Sequence, residues 1–332
     1  MKFLIAGAGA IGGYVGACMA KAGYDVTLYA RGPHLRAMQE RGVRVTGKEE
    51  DFTVKPRIAA SVEEVGPVDV VFLAVKAHGL TQLAPQLKPV LAPETTVVSL
   101  QNGIPWWFFQ GFGGEWEGQR LERVDPGGLI ASAIEARRVI GTIVYLATEV
   151  SEPGVIRHIE GNRISLGEPD GSRSERLRKL AEVMIASGLK CPVTTRLRHE
   201  IWVKVLGNAS LNPVSALTRA TIVQMVRDPG VGPMIRSMME EVEAVSHKLG
   251  MELPITIDQR MAGAEKVGEH KTSMLQDLEA GRPMELEALV GAVVEIGERV
   301  GLPMTVTKSV YHCAKLLAKT MNAAAAQPAR TG

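Results

Sequence analysis

A glycine-rich turn near the start of the chain joins a strand pattern to a helix pattern. The apolar run Phe3-Leu4-Ile5-Ala6 leads directly into Gly7-Ala8-Gly9-Ala10-Ile11-Gly12, and small and apolar residues continue from Val15 to Ala20. In such a turn the first glycine permits the tight bend, the second lets backbone N–H groups approach a pyrophosphate, and the third lets helix and strand pack closely. The phosphate then lies at the positive helix N-terminus. The pattern predicts a dinucleotide-binding unit whose second strand is Asp25 to Tyr29.

The residues after that second strand indicate which dinucleotide binds. A site for NAD requires an acid there for the ribose 2′-hydroxyl, whereas a 2′-phosphate requires arginine. The chain continues Tyr29-Ala30-Arg31-Gly32, and no acid occurs before Glu40. Arg31 therefore favours NADP, with Arg36 as a helper. The alternative is that Arg31 is a solvated loop cation.

Composition excludes several classes of protein. The 332 residues are enough for two domains, and their net charge of +2 leaves no footprint for nucleic acid or an anionic membrane. No apolar run is long enough for a membrane span. The cysteines, Cys18, Cys191 and Cys313, show no metal or redox spacing and are expected to be small core residues in a reducing cytoplasm. The histidines show no metal spacing either, and no metal site is predicted.

The first half of the chain alternates strand and helix patterns. Val68 to Val75 and Thr96 to Leu100 are continuous apolar runs, as expected of buried parallel strands. Ligands bind at the carboxyl ends of such strands. Lys76 and the turn Gln101-Asn102-Gly103 occupy those ends and are therefore candidates for facing cofactor and substrate.

Extended segments and a helix complete this half. Val139 to Ala147 and Gly154 to Leu166 are predicted as strands, with a turn at Glu160-Gly161-Asn162. A helix is predicted from about Arg173 to Gly188, and the segment from Lys190 to Thr195 is predicted to link two domains. The first domain is therefore assigned to residues 1–194.

From Glu200 onward the pattern is helical throughout. Apolar residues recur at helical spacing in four stretches, Ile201 to Leu217, Met234 to Leu249, Ile257 to Val267 and Glu285 to Val300. The predicted fold is an α/β protein with an N-terminal Rossmann-type doubly wound sheet and an all-helical C-terminal domain at 195–321. A substrate cleft is expected between the domains, and the alanine-rich residues 322–332 are expected to form a flexible tail.

One predicted helix carries a polar stripe. Lys204, Asn208 and Asn212 stand at i, i+4 and i+8, so they share one face among apolar neighbours. An ammonium beside two amides can orient an oxygen and supply positive charge where an alkoxide develops. The alternative is a solvated helix face.

The chain as a whole resembles the ketopantoate reductases, or 2-dehydropantoate 2-reductases. The resemblance covers nearly the whole chain and rests on motifs in a fixed order. They are Gly7 to Gly12, Lys76-Ala77, Gln101-Asn102-Gly103, Pro153 to His158, Glu200 to Lys204 with Asn208 and Asn212-Pro213, Ser273 to Asp277, and Arg282 to Glu287.

The resemblance implies NADPH-dependent reduction of the 2-oxo group of ketopantoate to (R)-pantoate, a step toward pantothenate and coenzyme A. It implies that Lys204 is the acid and that Glu285 hydrogen-bonds near the reacting end. Asn102, Asn208, Asn212 and Ser273 would contact the substrate. Lys76, Asn102, Ala147 and Glu285 would lie at the cofactor. A homodimer is also consistent with this family.

Two departures from the family pattern bear on the substrate. The segment 104–130 is longer than usual and holds six of the ten Trp and Phe residues, namely Trp106, Trp107, Phe108, Phe109, Phe112 and Trp116. It is expected to line the substrate mouth, to face a partner subunit, or to pack internally. After Asn212-Pro213 the chain reads Thr218-Arg219-Ala220-Thr221, where many relatives have a further Asn.

Alternatives stay open at this point. Ser273 can be a helix cap, and Glu285 can be a first-turn acid that complements a helix dipole. The substrate can be another branched or bulkier 2-oxo acid. A non-catalytic NADP-binding sensor is a third hypothesis, although it would be expected to have lost the Lys and Asn stripe.

Overall fold

The computed structural model describes residues 1–48 and 51–326, with side chains to residue 321. The chain divides into two compact units, Met1–Arg198 and His199–Gly332. This boundary lies four residues after the one expected at 194/195. We refer to these as unit 1 and unit 2.

The described residues of unit 1 form nine strands and five complete α-helices. The strands are β1 (Lys2–Ala6), β2 (Asp25–Tyr29), β3 (Val43–Thr46), β4 (Asp51–Val54), β5 (Arg57–Ala59), β6 (Val68–Leu73), β7 (Leu91–Ser99), β8 (Val139–Glu152) and β9 (Val155–Gly167). The helices are α1 (Ala10–Lys21), α2 (Gly32–Arg41), α3 (Ala77–Leu83), α4 (Leu129–Ala133) and α5 (Glu175–Ala186).

All nine strands form one sheet in the order β4-β3-β9-β8-β7-β6-β1-β2-β5. The run from β8 to β5 is parallel throughout, with β1 between β6 and β2. This is the strand order of a dinucleotide-binding Rossmann sheet, in which the order reverses beside the first strand. Consecutive residues are buried in β1 from Phe3, in β6 from Val70 and in β7 from Thr95, which is why the sequence shows apolar runs there.

The turn predicted at Glu160-Gly161-Asn162 is wrong. Strands β8 and β9 form one long antiparallel hairpin that turns at Pro153-Gly154, and β9 runs through residues 160–162. The pairing register shifts on both sides of Ala147, and Gly161 has φ +73°. A Cβ at Gly161 would lie 2.5 Å from the carbonyl oxygen of Tyr145. The glycine therefore marks a β-bulge, which has the same sequence signature as a turn.

The segment predicted as a link between domains belongs to the sheet region of unit 1. Lys190 and Val193 form parallel bridges with Arg163 and Leu166 of β9. The N–H of Thr194 donates to Leu166, and Cys191 is buried. Backbone pairing and an apolar side chain hold this segment against β9.

The aromatic segment packs mainly inside unit 1. Trp106, Trp107, Phe108 and Phe109 are each no more than 6 % exposed. A Cβ at Gly141, in β8, would lie 2.6 Å from Cζ2 of Trp107, so that indole lies directly on the strand. Arg198 also stabilises the segment, because its Nε donates to the carbonyl of Phe108 at 2.8 Å. These contacts favour internal packing over a substrate mouth.

Unit 2 is helical, and no strand occurs among its described residues. Its helices are α6 (Leu197–Thr218, beginning at the unit boundary), α7 (Ile222–Arg227), α8 (Val231–Lys248), α9 (Ile257–Val267), α10 (Ser273–Glu279), α11 (Ala292–Arg299) and α12 (Thr305–Ala326). A π-helical turn, Glu287–Gly291, leads into α11. The predicted fold class, a Rossmann-type sheet followed by a helical part, is thereby confirmed.

Burial explains how the main helices of unit 2 are held. Trp202 in α6 is fully buried, and its indole N–H donates to the carbonyl of Val242 in α8 at 3.1 Å. A second cluster joins α10, α11 and α12 through residues such as Leu275, Val294 and Tyr311. Within the described part of the chain, no helix is both long enough and apolar enough to cross a membrane.

Two expectations about the C-terminal part need qualification. Cys313 is exposed in α12, so the prediction that all three cysteines are core residues is wrong for this one, whereas Cys18 and Cys191 are buried. Helix α12 continues to Ala326 and so includes the start of the expected tail, while residues 327–332 lie outside the described residues.

Candidate functional site

Three strand ends meet at one edge of the sheet of unit 1. Gly7 follows β1, Lys76 follows β6, and Asn102 follows β7, and these three strands are neighbours. The side chain of Gln101 joins the last two, because its Nε2 donates to the carbonyls of Leu73 and Val75 at 2.9 and 3.1 Å. Lys76 and Asn102 are half-buried beside that link. The structure therefore brings together the unit 1 candidates that the sequence predicted at strand ends.

The three glycines of the first turn have different structural roles. Gly7 has φ +112°, and a Cβ there would lie 2.6 Å from the backbone nitrogen of Val75. At Gly12 a Cβ would overlap the carbonyl oxygen of Gly7 and lie 2.6 Å from Cβ of Ala74. At Gly9, which precedes α1, a Cβ would meet nothing within 4 Å. Two glycines therefore serve packing, and the third leaves open space at a helix N-terminus.

This open space fits a dinucleotide pyrophosphate. The first N–H groups of α1, at Ala10 and Ile11, have no carbonyl partner within the helix and lie at its positive end. Ala8 is held in place because its N–H donates to the carbonyl of Tyr29 at 2.8 Å. The residues present fit the group that the sequence predicts.

His34 supports the glycine turn and was missed by the sequence argument. Its Nε2 lies 2.9 Å from the carbonyl oxygen of Ala8, and the N–H of Gly154 lies 2.9 Å from its Nδ1. Since a backbone N–H can only donate, Nδ1 accepts and Nε2 carries the proton that reaches Ala8. Burial lowers the pKa of His34, which favours this neutral form. No local sequence pattern marks a contact between residues 120 positions apart.

Arg31 lies at the start of α2, exposed beside the end of β2. Its Nε donates to the hydroxyl of Tyr29 at 2.5 Å, and its guanidinium lies 5.3 Å from the centre of the Tyr29 ring. The ring thus orients a cation at the position where a ribose 2′-substituent is expected. Arg36 is also exposed on α2. Whether either arginine binds cofactor stays a prediction.

Ala147 is in β8, opposite Glu160, between the two register shifts of the bulged hairpin. Its side chain is half-buried. A bulge beside a ligand site redirects the backbone locally, which is compatible with the cofactor contact predicted for this residue.

The polar stripe of the sequence forms one face of α6. Lys204 and Asn208 are half-buried, and Asn212 is 5 % exposed. An amide N–H group on such a face can donate a hydrogen bond to an oxygen atom of a ligand. The face is not an ordinary solvated one.

Glu285 lies in the electrostatic field of Lys204, although 81 positions separate them. It immediately precedes the turn that leads into α11 and is half-buried. Burial lowers the pKa of Lys204 to about 8, and the charge of Glu285 opposes this shift. A lysine with such a pKa holds its proton at neutral pH and releases it readily.

Ser273 is the first residue of α10 and is exposed. The helix cap is instead Thr272, whose side chain accepts from the N–H of Leu275 at 3.2 Å. The alternative of Ser273 as a capping hydroxyl is therefore wrong. Glu285, in contrast, stands where an acid also complements a helix N-terminus, so both of its predicted roles remain compatible with the structure.

Comparison with known proteins gives a consistent result across the chain. Residues 3–106 match the model of "Ketopantoate reductase PanE/ApbA", and residues 196–318 match that of "Ketopantoate reductase PanE/ApbA C terminal". A 2-dehydropantoate 2-reductase of Mesorhizobium japonicum is 52 % identical over 319 residues, covering 96 % of this chain and 98 % of that protein.

Solved structures agree. A PanE/ApbA family ketopantoate reductase from Ralstonia eutropha superposes with a TM-score of 0.84 at 28 % identity, covering 97 % of this chain and all of that one. D-mandelate dehydrogenase in complex with NADH and anilino(oxo)acetate has a TM-score of 0.82 at 20 % identity over 97 % of this chain, which shows a shared fold. The chain belongs to the ketopantoate reductase family of NAD(P)-dependent oxidoreductases.

Proposed function

We propose that the protein reduces the 2-oxo group of ketopantoate to give (R)-pantoate, with NADPH as the reductant. The observation that carries this proposal is the half-buried Lys204, with a pKa near 8, on the same helix face as Asn208 and Asn212. Its support is membership in the family, together with a Mesorhizobium japonicum relative that is named for this reaction.

Unit 1 would hold the cofactor. The N–H groups at the start of α1 would bind the pyrophosphate over Gly9, and Arg31 would bind the ribose 2′-phosphate. Lys76, Asn102 and Ala147 would lie beside the ribose and nicotinamide. NADPH, when bound, supplies the hydride.

Unit 2 would orient the carbonyl group and provide the proton. As C2 gains the hydride, negative charge grows on its oxygen, and the Nζ of Lys204 donates the proton that completes the alcohol. Asn208 and Asn212 would donate hydrogen bonds to substrate oxygens, with Ser273 as a further donor. Glu285 keeps Lys204 protonated, because its negative charge opposes the effect of burial on the lysine pKa.

The turn after Asn212-Pro213 lacks the further Asn that many relatives have, which bears on the acyl chain that the site accepts. Arg219 stands in that turn with φ +64°. The homodimer and the cytoplasmic location stay predictions.

Steady-state oxidation of NADPH with a panel of 2-oxo acids tests the function. Ketopantoate is expected to give the highest kcat/KM, above unbranched and aryl 2-oxo acids, with (R)-pantoate as the product. A higher kcat/KM for another branched acid would replace the substrate but keep the chemistry. Cofactor binding without turnover of any 2-oxo acid would favour the sensor hypothesis.

A further inference from the structure

Arg260 of α9 extends onto the surface of α6 at a glycine. A Cβ placed on Gly207 would overlap the guanidinium and would lie 2.5 Å from Nε of Arg260. The Nε atom is buried, and the side chain as a whole is half-buried. Only a residue without a side chain leaves room for a planar cation so close to the helix backbone.

The position of Gly207 on α6 brings Arg260 close to a candidate catalytic position. Gly207 follows Lys204 by three residues, so these two positions are neighbours on the surface of α6. The guanidinium of Arg260 therefore approaches α6 one turn beyond the backbone position of Lys204. The motifs that carry the family resemblance do not include Arg260.

Two other arginines of unit 2 contact α9 through exposed ion pairs. Arg236 pairs with Asp258 at the start of α9, and Arg227 pairs with Glu265 near its end, and all four side chains are well exposed. Arg260 lies between Asp258 and Glu265 on α9, and its guanidinium contacts α6. Because exposed ion pairs contribute little, those two arginines supply charge-matched controls.

We propose that Arg260 binds the carboxylate of the substrate while Lys204 acts on the neighbouring 2-oxo oxygen. This inference rests on the proposed function and assigns the group that recognises the acid end. A guanidinium presents parallel N–H donors that match the two oxygens of a carboxylate. In a 2-oxo acid the carboxylate is bonded directly to the carbonyl carbon, which suits two cations on adjacent turns of one helix face.

Two pairs of variants test the role of Arg260. Arg260→Gln removes the charge, and Gly207→Ala introduces a methyl group that displaces the flexible end of the arginine. The controls are Arg236→Gln and Gly263→Ala. Gly263 is in α9 like Arg260, and a Cβ there meets nothing within 4 Å. Circular dichroism and thermal melting identify any variant that has not folded. Because the two substitutions lie in different helices, one test variant still tests the proposal if the other does not fold.

The substrates are a 2-oxo acid and its primary amide, assayed with NADPH. Loss of a charge-assisted contact predicts that Arg260→Gln and Gly207→Ala raise KM for the acid by about 10- to 100-fold, with kcat and KM for NADPH nearly unchanged. KM for the amide is expected to change by less than about threefold, and the controls are expected to match the parent. An equal increase for acid and amide, or no increase for the acid, would overturn the proposal.

Calorimetric titration of the same 2-oxo acid into protein saturated with NADP⁺ separates this inference from the proposed function. Acid binding that depends on Arg260, without turnover in the parent, would contradict the proposed reaction but support the carboxylate site. Turnover in the parent with equal acid affinity in parent and Arg260→Gln would do the opposite. A parent protein that does not bind the acid at all would overturn both.

Discussion

The glycine turn of unit 1 and the polar face of α6 in unit 2 are built by opposite means. At Gly7, Gly9 and Gly12 the side chains are absent, so that backbone can bend, pack and leave open a helix N-terminus. On α6 the side chains of Lys204 and Asn208 supply the chemistry, and burial tunes the lysine. The first region works through main-chain geometry and the second through side-chain charge.

This difference determines how each region responds to change. A backbone-built site is sensitive to added atoms, because the space is already defined by neighbouring strands. A side-chain site is sensitive to lost atoms and to the charges around it. Substitutions in unit 1 are therefore expected to affect folding and cofactor binding, and those on α6 are expected to affect the chemical step.

The largest expected effect concerns the aromatic segment of unit 1, which is held by side chains although it belongs to the unit whose site is built from backbone. Trp107 is 1 % exposed and lies on Gly141, so Trp107→Ala is expected to lower the free energy of unfolding by about 3–5 kcal/mol. The order of 2-oxo acids by kcat/KM is expected to stay the same. Chemical denaturation and the substrate panel measure the two effects, and a reordered panel with unchanged stability would assign Trp107 to the substrate mouth.

Lys204→Ala is expected to lower kcat by about 100-fold or more, which corresponds to at least about 2.7 kcal/mol, while NADPH affinity stays nearly constant. The reason is that the ammonium acts mainly in the transition state. Single-turnover NADPH oxidation at saturating substrate is the measurement, with Lys248→Ala on α8 as control. A rate within a few-fold of the parent would move the acid elsewhere, with Glu285 as the next candidate.

Arg31→Ala tests a unit 1 side chain that is expected to affect binding alone. Loss of a charge-assisted contact with the 2′-phosphate is expected to weaken NADPH by roughly 1.5–3 kcal/mol and to leave NADH almost unchanged. Fluorescence titration with both cofactors gives the two affinities. Equal weakening of NADPH and NADH would contradict the assignment of Arg31 to the 2′-phosphate.

Two glycine substitutions distinguish the glycine that packs against protein atoms from the glycine that leaves space for a ligand. Gly12→Ala places a methyl group against backbone and Ala74, so it is expected to cost about 1–3 kcal/mol of stability. Gly9→Ala meets no protein atom and is expected to preserve the melting temperature but raise KM for NADPH about tenfold, or about 1.4 kcal/mol. Similar loss of stability in both variants would refute this distinction.

The smallest expected effect is a shift in pH dependence. The ammonium of Lys204 is protonated below its pKa of about 8, so kcat/KM for reduction is expected to fall tenfold per pH unit above that value. Glu285 raises this pKa, and Glu285→Gln is therefore expected to move the alkaline limb to lower pH. A pH profile of both proteins from about pH 6 to about pH 10 gives the limbs. An unmoved limb, or one at higher pH, would argue against this pairing.

The sequence predicted the local parts of the architecture well, for reasons that particular elements show. Helix α9 was predicted at its observed bounds, because apolar residues recur there at helical spacing, and the structure adds that Thr256 caps it. The bulge at Gly161 was mistaken for a turn, since a positive φ favours glycine in both. The bridges of Lys190 and Val193 to β9 were missed because they depend on a strand that is distant along the chain.

By itself the sequence determined the strand and helix alternation of the first half, the helical character of the second, the glycine turn and the spacing of the Lys204 stripe, since each is set by residues close together in the chain. Tertiary structure decided the rest. It placed His34 against Ala8, Glu285 in the field of Lys204, and Arg260 on Gly207. Those pairings join residues from 26 to 81 positions apart. The lysine pKa in particular depends on burial and on a distant charge, which no spacing along one helix specifies.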